Sequence, residues 1–225
     1  MQLMERELSN IKIKAASMSV TVGEMYHETI RALLNHETDL ARRVVERDRL
    51  VDIYELEIDE MGLKFLALYA PKAQELRYVV AVLRFIVELE RVADHSKAVC
   101  RQVLDHHCAS LFPLLPDFEL ILTLTQQMLR EATDSFFETD DQRHESVIEA
   151  DKTVGRLQSS LNAALAALIR EDPAHIEAAL ILLNIVRRVE RIGDHAKTVA
   201  QLAPYVATGK VVRHKEVLTD ANFAD

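Results

Sequence analysis

The sequence predicts an all-α protein of two tandem antiparallel three-helix bundles, six helices in all, related by an internal repeat. Three observations predict this fold class. Helix breakers are scarce, with 5 Gly and 5 Pro among 225 residues, and 49% of the residues are apolar. Between the prolines, apolar residues recur at helical spacing. A ten-residue motif also occurs twice, about 100 residues apart.

The first three helices are predicted over residues 5–35, 37–69 and 72–108. Pro71 separates the second helix from the third, because proline lacks the N–H donor that a helix interior needs. The third helix has the clearest apolar face. Its residues are Val79, Leu83, Ile86, Leu89 and Ala93.

Residues 109–117 form the predicted linker, which holds Pro113 and Pro116 and is apolar enough to pack against the bundles. The other three helices are predicted over residues 117–139, 142–170 and 174–206, followed by a C-terminal tail over 209–225. Pro173 precedes the last helix. Because all the connections are short, consecutive helices are expected to run antiparallel.

The internal repeat defines the predicted domains. Glu90–Val99 returns as Glu190–Val199 with six of ten residues identical. Pro71 and Pro173 share nearly the same offset. The duplication therefore covers whole three-helix units, predicted as domains over residues 1–110 and 117–208.

Charge, cysteine use and hydropathy exclude several classes of protein. A net charge of −9 disfavours nucleic acid as a partner. Cys100 and Cys108 lie in one segment and lack the pattern of a secreted disulfide framework. No signal peptide is evident, and the apolar runs fall short of the roughly 20 residues that span a bilayer. We therefore expect a cytoplasmic protein without a membrane span, whose membrane association is peripheral and occurs through partners.

The repeated motif carries a candidate metal site. Glu90 and Asp94 are four residues apart and therefore lie on one helix face. Their hard oxygens suit Mg, Mn, Ca or Fe, and a helical bundle can supply facing ligands from a second helix. Asp48 and Asp52, with the same spacing, are the candidates for those ligands.

The second unit repeats this arrangement incompletely. Asp151, Glu190 and Asp194 match the first unit, but Gly155 stands where Asp52 would recur. The second site is therefore expected to have fewer ligands or a different geometry.

An alternative interpretation is that the carboxylates form ordinary ion pairs on solvated helix faces. It pairs Glu190 with Arg187, Asp194 with Lys197, and Asp94 with Lys97. Spacing alone does not separate this interpretation from the metal site.

The histidines and the other motifs give less support for chemistry. His95 and His195 follow the aspartates and are assigned packing or supporting roles ahead of metal ligation. A zinc site built from Cys100, His106, His107 and Cys108 is disfavoured, because these residues lack zinc-finger spacing. A ferritin-like di-iron enzyme needs two Glu-x-x-His motifs, and the chain has one, Glu24–His27. Phosphate-binding loops, nucleophile elbows and His-Glu-x-x-His helices are absent from the sequence, so no enzyme activity is predicted.

The two motifs, Leu-Glu90-Arg-Val-Ala-Asp94-His and Val-Glu190-Arg-Ile-Gly-Asp194-His, resemble the paired signature of the PhoU family of phosphate-signalling regulators. The similarity extends to Ala41–Asp48, to Pro71 with Leu76-Arg77, and to Gly209–His214, in the family's order. Ala98 and Thr198 depart from the family, which commonly places Asn there.

The resemblance implies two similar three-helix bundles, frequent dimerisation as a homodimer, and carboxylate motifs that hold metal. The implied cofactors are Fe, Zn, Mg or Mn ions. It further implies a cytoplasmic negative regulator, without established enzyme activity, that links the ATPase subunit of a phosphate ABC transporter to a membrane sensor histidine kinase. The metal ligands it implies are Asp48, Asp52, Glu90, Asp94, Asp151, Glu190 and Asp194.

The expected function is therefore non-enzymatic negative regulation of phosphate uptake and of phosphate-starvation signalling. Two alternatives remain from the residues alone. One is a metal-dependent helical-bundle enzyme that uses Asp48, Glu90 and Asp94. The other is a metal-storage or scaffold protein whose acidic faces are ordinary solvent-exposed surface that keeps the protein soluble.

Overall fold

The computed structural model describes residues 2–105, 109–138 and 141–209, and within them every regular element is helical. Along these described residues, six long α-helices and one short one follow each other. They are α1 Gln2–Asn35, α2 Thr38–Tyr69, α3 Ala73–Asp105, α4 Phe118–Glu138, α5 Asp141–Glu171, α6 Ile176–Ala200 and α7 Leu202–Thr208. The predicted all-α fold is confirmed. Two parts of the predicted elements lie outside the described residues. They are His106–Cys108, at the end of the predicted third helix, and residues 210–225, which make up most of the predicted tail.

Helix ends follow the sequence signals. α2 ends at Tyr69, where Ala70 adopts a left-handed conformation with φ of 42° and donates its N–H to the carbonyl of Leu66. Pro71 follows at once, so the helix cannot continue. Before α6, the carboxylate of Asp172 accepts the N–H of Ala174 and caps a single 3₁₀ turn, Pro173–His175.

The predicted linker folds as a 3₁₀ helix, Ala109–Leu114, that packs onto the protein. Leu111 within this helix and Leu115 directly after it are buried. Phe112 stacks on Phe118 with ring centroids 4.8 Å apart. The apolar linker therefore contributes to the core.

The prediction of one continuous helix over 174–206 is wrong. Gln201 interrupts it, so that α6 ends at Ala200 and α7 begins at Leu202. The physical reason is Pro204, which has no N–H to donate to the carbonyl of Ala200. Instead, Nδ1 of the buried His144 on α5 lies 3.1 Å from that carbonyl oxygen.

The helices form two bundles joined side by side. α1, α2 and α3 pack on one another, and α4, α5 and α6 do the same. The bundles meet where α3 contacts α6 and α7, and where α1 contacts α4. Phe85 of α3 stacks on Phe136 of α4 at the junction, with centroids 4.3 Å apart. The two motif-bearing helices are therefore neighbours at the centre of the molecule.

Candidate functional site

Acidic side chains of α2 and α3 come together on the outer face of the first bundle. Asp48 and Asp52 lie on α2, Glu90 and Asp94 lie on α3, and these two helices pack against each other. The ammonium of Lys97 bridges the two helices, 2.6 Å from Oδ2 of Asp48 and 2.5 Å from Oδ1 of Asp94. Asp48 is largely buried, with 10% of its side chain exposed. The structure thus brings together the four acids predicted for the first site and adds a lysine between them.

The electrostatics of this face are dominated by excess negative charge. Burial, followed by the charges of Asp94 and Glu55, raises the pKa of Glu90 to about 7. Burial and the charge of Asp52 likewise raise the pKa of Glu55. Burial is the largest single effect on the pKa of Asp94 and acts to raise it. The hydrogen bond and charge of Lys97, together with a hydrogen bond to Glu90, outweigh burial and lower this pKa. One lysine therefore stabilises its direct partners and leaves the charges of Glu90 and Glu55 uncompensated.

The second face is closer to electrical balance. Nζ of Lys197 lies 2.5 Å from Oδ2 of Asp151 on α5, while Arg191 pairs with Asp194 at 3.1 Å and reaches Glu190 at 3.9 Å. Burial and Asp194 raise the pKa of Glu190, and Arg191 opposes that rise. Gly155 is exposed, and a Cβ built on it meets no atom within 4 Å. Packing therefore does not explain the missing carboxylate.

The alternative of ordinary ion pairs is partly confirmed. Asp94 pairs with Lys97 as that interpretation expects. The pair of Asp194 with Lys197 is wrong, because Lys197 reaches across to Asp151 on α5 and Asp194 pairs with Arg191. Glu190 lies 3.9 Å from Arg191, and the charge of Arg187 also acts on it. The lysine of each motif thus ties the motif helix to the preceding helix.

The donor chemistry of the first face suits a hard cation, although its side chains are not arranged around one. Among the described residues, no group of three or more His, Cys, Asp or Glu side chains converges on a common point. The ammonium of Lys97 already lies between Asp48 and Asp94. A metal ion held by both Asp48 and Asp94 would therefore have to displace this ammonium.

The histidines of the two motifs meet at the junction of the bundles. The rings of His95 and His195 stack with centroids 5.4 Å apart, and Nδ1 of His195 lies 2.7 Å from Oε2 of Glu88. Burial, then the charges of His195 and Arg188, lower the pKa of His95 to about 4. These contacts agree with the predicted packing role.

The remaining sequence candidates are separated in the structure. Glu24 contacts Arg47 at 3.7 Å, whereas His27 Nδ1 lies 2.9 Å from Nε2 of Gln126. Cys100 is buried, and its thiol lies 3.4 Å from the hydroxyl of Thr29. The other members of the disfavoured zinc cluster, His106, His107 and Cys108, lie outside the described residues.

Sequence reasoning missed one acid of the first face, Glu55. The signal was present, because Asp48, Asp52 and Glu55 follow the i, i+4, i+7 spacing of a single helix face. The matching stripe on α3 is Glu90, Asp94 and Lys97. The contact of Lys97 with Asp48 on α2 could not be predicted, because spacing along one helix does not reveal partners on another helix.

The chain is similar in sequence to a known domain and to known proteins. The PhoU domain matches residues 15–103 and again residues 118–203. The phosphate-specific transport system accessory protein PhoU of Edwardsiella tarda is 33% identical, with 97% of this chain and 93% of the relative covered. The protein of the same name from Escherichia coli K12 is 31% identical, over 92% of this chain and 86% of the relative.

Solved structures have the same architecture. The crystal structure of PhoU from Pseudomonas aeruginosa matches with a TM-score of 0.84 and 29% identity, covering 92% of this chain and 99% of that one. The phosphate transport system regulatory protein PhoU from Streptococcus pneumoniae also matches with a TM-score of 0.84, at 20% identity and over 93% of this chain and 99% of that one, which supports the fold alone. Within the described ranges, no helix is both long and apolar enough to cross a bilayer.

Proposed function

Because this chain belongs to the PhoU family, we propose that it is a non-enzymatic accessory protein of a phosphate transport system that restrains phosphate uptake and phosphate-starvation signalling. The observation that supports this function is the family match in both halves of the chain, at residues 15–103 and 118–203. The names of the relatives supply the link to phosphate transport.

The proposed partners are the ATPase subunit of a phosphate ABC transporter and a phosphate sensor histidine kinase. The protein would act in the cytoplasm as a homodimer and would reach the membrane through these partners. Regulation by contact fits the two motif lysines, which form ion pairs between helices, Lys97 with Asp48 and Lys197 with Asp151.

The first acidic face is the proposed metal site, with Asp48, Asp52, Glu90 and Asp94 as ligands for Fe, Zn, Mg or Mn. A bound cation would supply the positive charge that Glu90 and Glu55 lack. The second face, with Asp151, Glu190 and Asp194, has basic partners for its acids and is the weaker candidate.

Reporter activity in phosphate-replete cells tests the regulatory function. Deletion of the gene should raise alkaline phosphatase expressed from a phosphate-starvation promoter, and the intact gene on a plasmid should restore repression. Low reporter activity in the deletion strain, with the reporter still induced by starvation, would contradict the proposal.

Chelation tests the metal site separately. Removal of bound metal should lower the melting temperature of the wild-type protein, since a ligand that binds only the folded state stabilises it. The Asp94→Ala variant should lose this response, whereas Asp194→Ala should retain most of it. An equal response in wild type and Asp94→Ala would remove Asp94 from the site.

A further inference from the structure

A basic groove lies beside the stacked histidines, between α3 and α6. Four arginines line it: Arg91 from α3, and Arg187, Arg188 and Arg191 from α6. His95 and His195 line it as well. Its volume is about 680 Å³, which falls within the usual range of small-molecule sites.

The arginines that line this groove outnumber the carboxylates around it, which are Asp194 in its lining, Glu190 near Arg187, and Glu88 against His195. Asp194 is the one carboxylate among its described lining residues, and Arg191 pairs with it at 3.1 Å. Arg188 donates from Nε to the amide oxygen of Asn184 at 2.9 Å, which orients the guanidinium without neutralising it. Within the described part of the chain, neither Arg91 nor Arg187 lies within ion-pair distance of a carboxylate, and both are exposed. The charge of Arg187 does act on Glu190, from beyond that distance.

The duplicated motif does not account for this cluster. Arg91 and Arg191 occupy equivalent positions in the two repeats, but Val87 and Glu88 stand where the second repeat has Arg187 and Arg188. The added arginines therefore belong to one repeat only. They create positive charge in a chain whose net charge is −9, where solubility does not call for it.

We propose that the groove between α3 and α6 binds a small anion with several phosphoryl groups, of the polyphosphate or nucleoside polyphosphate class. Arginine holds phosphate through paired N–H donors in a fixed plane, and four such groups around one cavity match several phosphoryl groups. Orthophosphate alone would fill only a small part of a cavity of this volume. This inference rests on the groove itself and does not depend on the proposed regulatory function.

Titration calorimetry of the full chain, in buffer freed of divalent metal by a chelating resin, tests the proposal. The probes are tripolyphosphate, ATP, AMP and orthophosphate. We expect one tripolyphosphate or ATP per chain, with AMP and orthophosphate at least about tenfold weaker, and affinity that falls as KCl is raised. Preference for ATP over tripolyphosphate would identify a nucleotide as the source of the phosphoryl groups, and the reverse a polyphosphate.

Matched variants separate the groove from general charge effects. Arg187→Gln with Arg188→Gln should weaken binding roughly tenfold or more, because charge-assisted hydrogen bonds are lost. Arg101→Gln with Arg170→Gln removes the same charge from exposed positions outside the groove and should leave binding within twofold. If the first pair fails to fold, Arg187→Gln alone carries the test, since Arg187 is exposed and forms no ion pair within the described residues.

Three results would overturn the proposal. The first is no saturable binding of any probe by the wild-type protein. The second is an equal loss of affinity in both pairs of variants, which would indicate only the overall charge. The third is orthophosphate binding as tightly as tripolyphosphate, which would exclude the multi-phosphoryl class.

Discussion

At the scale of single residues, the first acidic face is organised by the shortage of positive charge around Lys97. Its ammonium contacts Asp48 and Asp94. Burial is the largest single effect and acts to lower the pKa of Lys97, but the hydrogen bonds and charges of the two aspartates together outweigh it and raise this pKa. Glu90 does not share this stabilisation, and its pKa lies near 7. The face therefore holds a carboxyl group that changes charge close to physiological pH.

Glu90→Gln should stabilise the metal-free protein at pH 8. The folded-state pKa of Glu90, about 7, lies above its ordinary value of 4.5, so the folded protein binds more protons between these values. Stability contributed by the protonated group is complete below pH 4.5 and is lost as pH rises through 7. The melting temperature of the variant should exceed that of wild type by about 2–4 °C at pH 8, with no difference near pH 4.5. Calorimetry across this range, with chelator present, measures it.

Glu149→Gln is the matched control for that experiment. Glu149 is exposed, and its hydrogen bond with Lys152 lowers its pKa, so neutralising it should give no gain at pH 8. A similar gain in both variants would show that overall charge, rather than the surroundings of Glu90, sets the pH dependence.

Gly155→Asp should give the second face the carboxylate that the first face has in Asp52. No atom lies within 4 Å of a Cβ at this position, so the substitution is sterically free. If the first face binds metal as proposed, the variant should bind a second Mn²⁺ per chain in a titration followed by electron paramagnetic resonance. Gly23→Asp, at another position without neighbours within 4 Å, should bind no additional ion. Unchanged stoichiometry in Gly155→Asp would show that Arg191 and Lys197 keep this face closed to cations.

At the scale of secondary-structure elements, the division between α6 and α7 is supported by a side chain from a third helix. Pro204 leaves the Ala200 carbonyl without its helical donor, and His144 of α5 replaces that donor. The break therefore depends on a long-range contact as well as on the proline.

His144→Leu should destabilise the protein by about 1–3 kcal/mol, the usual cost of an unsatisfied buried carbonyl. Leucine has a similar volume, so loss of packing contributes little. Equilibrium urea unfolding measures the effect. Adding Pro204→Ala to this variant should recover part of the loss, because residue 204 regains an N–H. An equal loss with and without Pro204→Ala would contradict this assignment.

Most of the helical architecture could be predicted from the sequence, because apolar periodicity and the positions of Pro71 and Pro173 are local signals. The break at Gln201 could not, since Pro204 alone does not reveal whether a helix kinks or stops. His144, which supplies the missing donor, is 56 residues from Ala200 along the chain. Long-range contacts of this kind do not produce a periodic pattern in the sequence.

The candidate site, too, could be predicted from the sequence only in part. The i, i+4 spacing of Asp48 with Asp52, and of Glu90 with Asp94, predicted an acidic face on each of two helices, and in the structure Lys97 contacts one acid of each, Asp48 and Asp94. The partners of Lys197 and Asp194 depended on how far side chains reach between α5 and α6, which spacing does not encode. The basic groove was not predicted from the sequence. Arg91 is distant along the chain from the other three arginines and lies near them only in the folded protein.

At the scale of the whole molecule, the two bundles share one continuous interface. Phe136 of α4 stacks on Phe85 of α3 and lies 6.0 Å, centroid to centroid, from Tyr78. The hydroxyls of Tyr26 on α1 and Thr125 on α4 form a buried hydrogen bond of 2.6 Å. An aromatic and a polar contact thus hold the halves together.

Phe136→Ala should lower the free energy of unfolding by about 3–5 kcal/mol, the usual cost of truncating a buried aromatic residue. Because the ring belongs to both bundles, we expect one cooperative transition in urea that shifts as a whole, followed by circular dichroism. Tyr26→Phe is the milder comparison and should cost about 1 kcal/mol, since Thr125 keeps its bond to the carbonyl of Ile121. Two separate transitions, with only one of them shifted, would show that the bundles unfold independently.

The stacking of His95 on His195 has a consequence for ancestry. These residues occupy the same position in each repeat, as they would if two identical single-repeat chains associated about a twofold axis. Such a pair of chains must carry the same residue twice at every position. Positions 88 and 188 hold Glu and Arg, with Glu88 bound to His195 and Arg188 acting on His95. Divergence of that kind requires two separate copies of the repeat, so the opposite charges at these positions arose after the duplication.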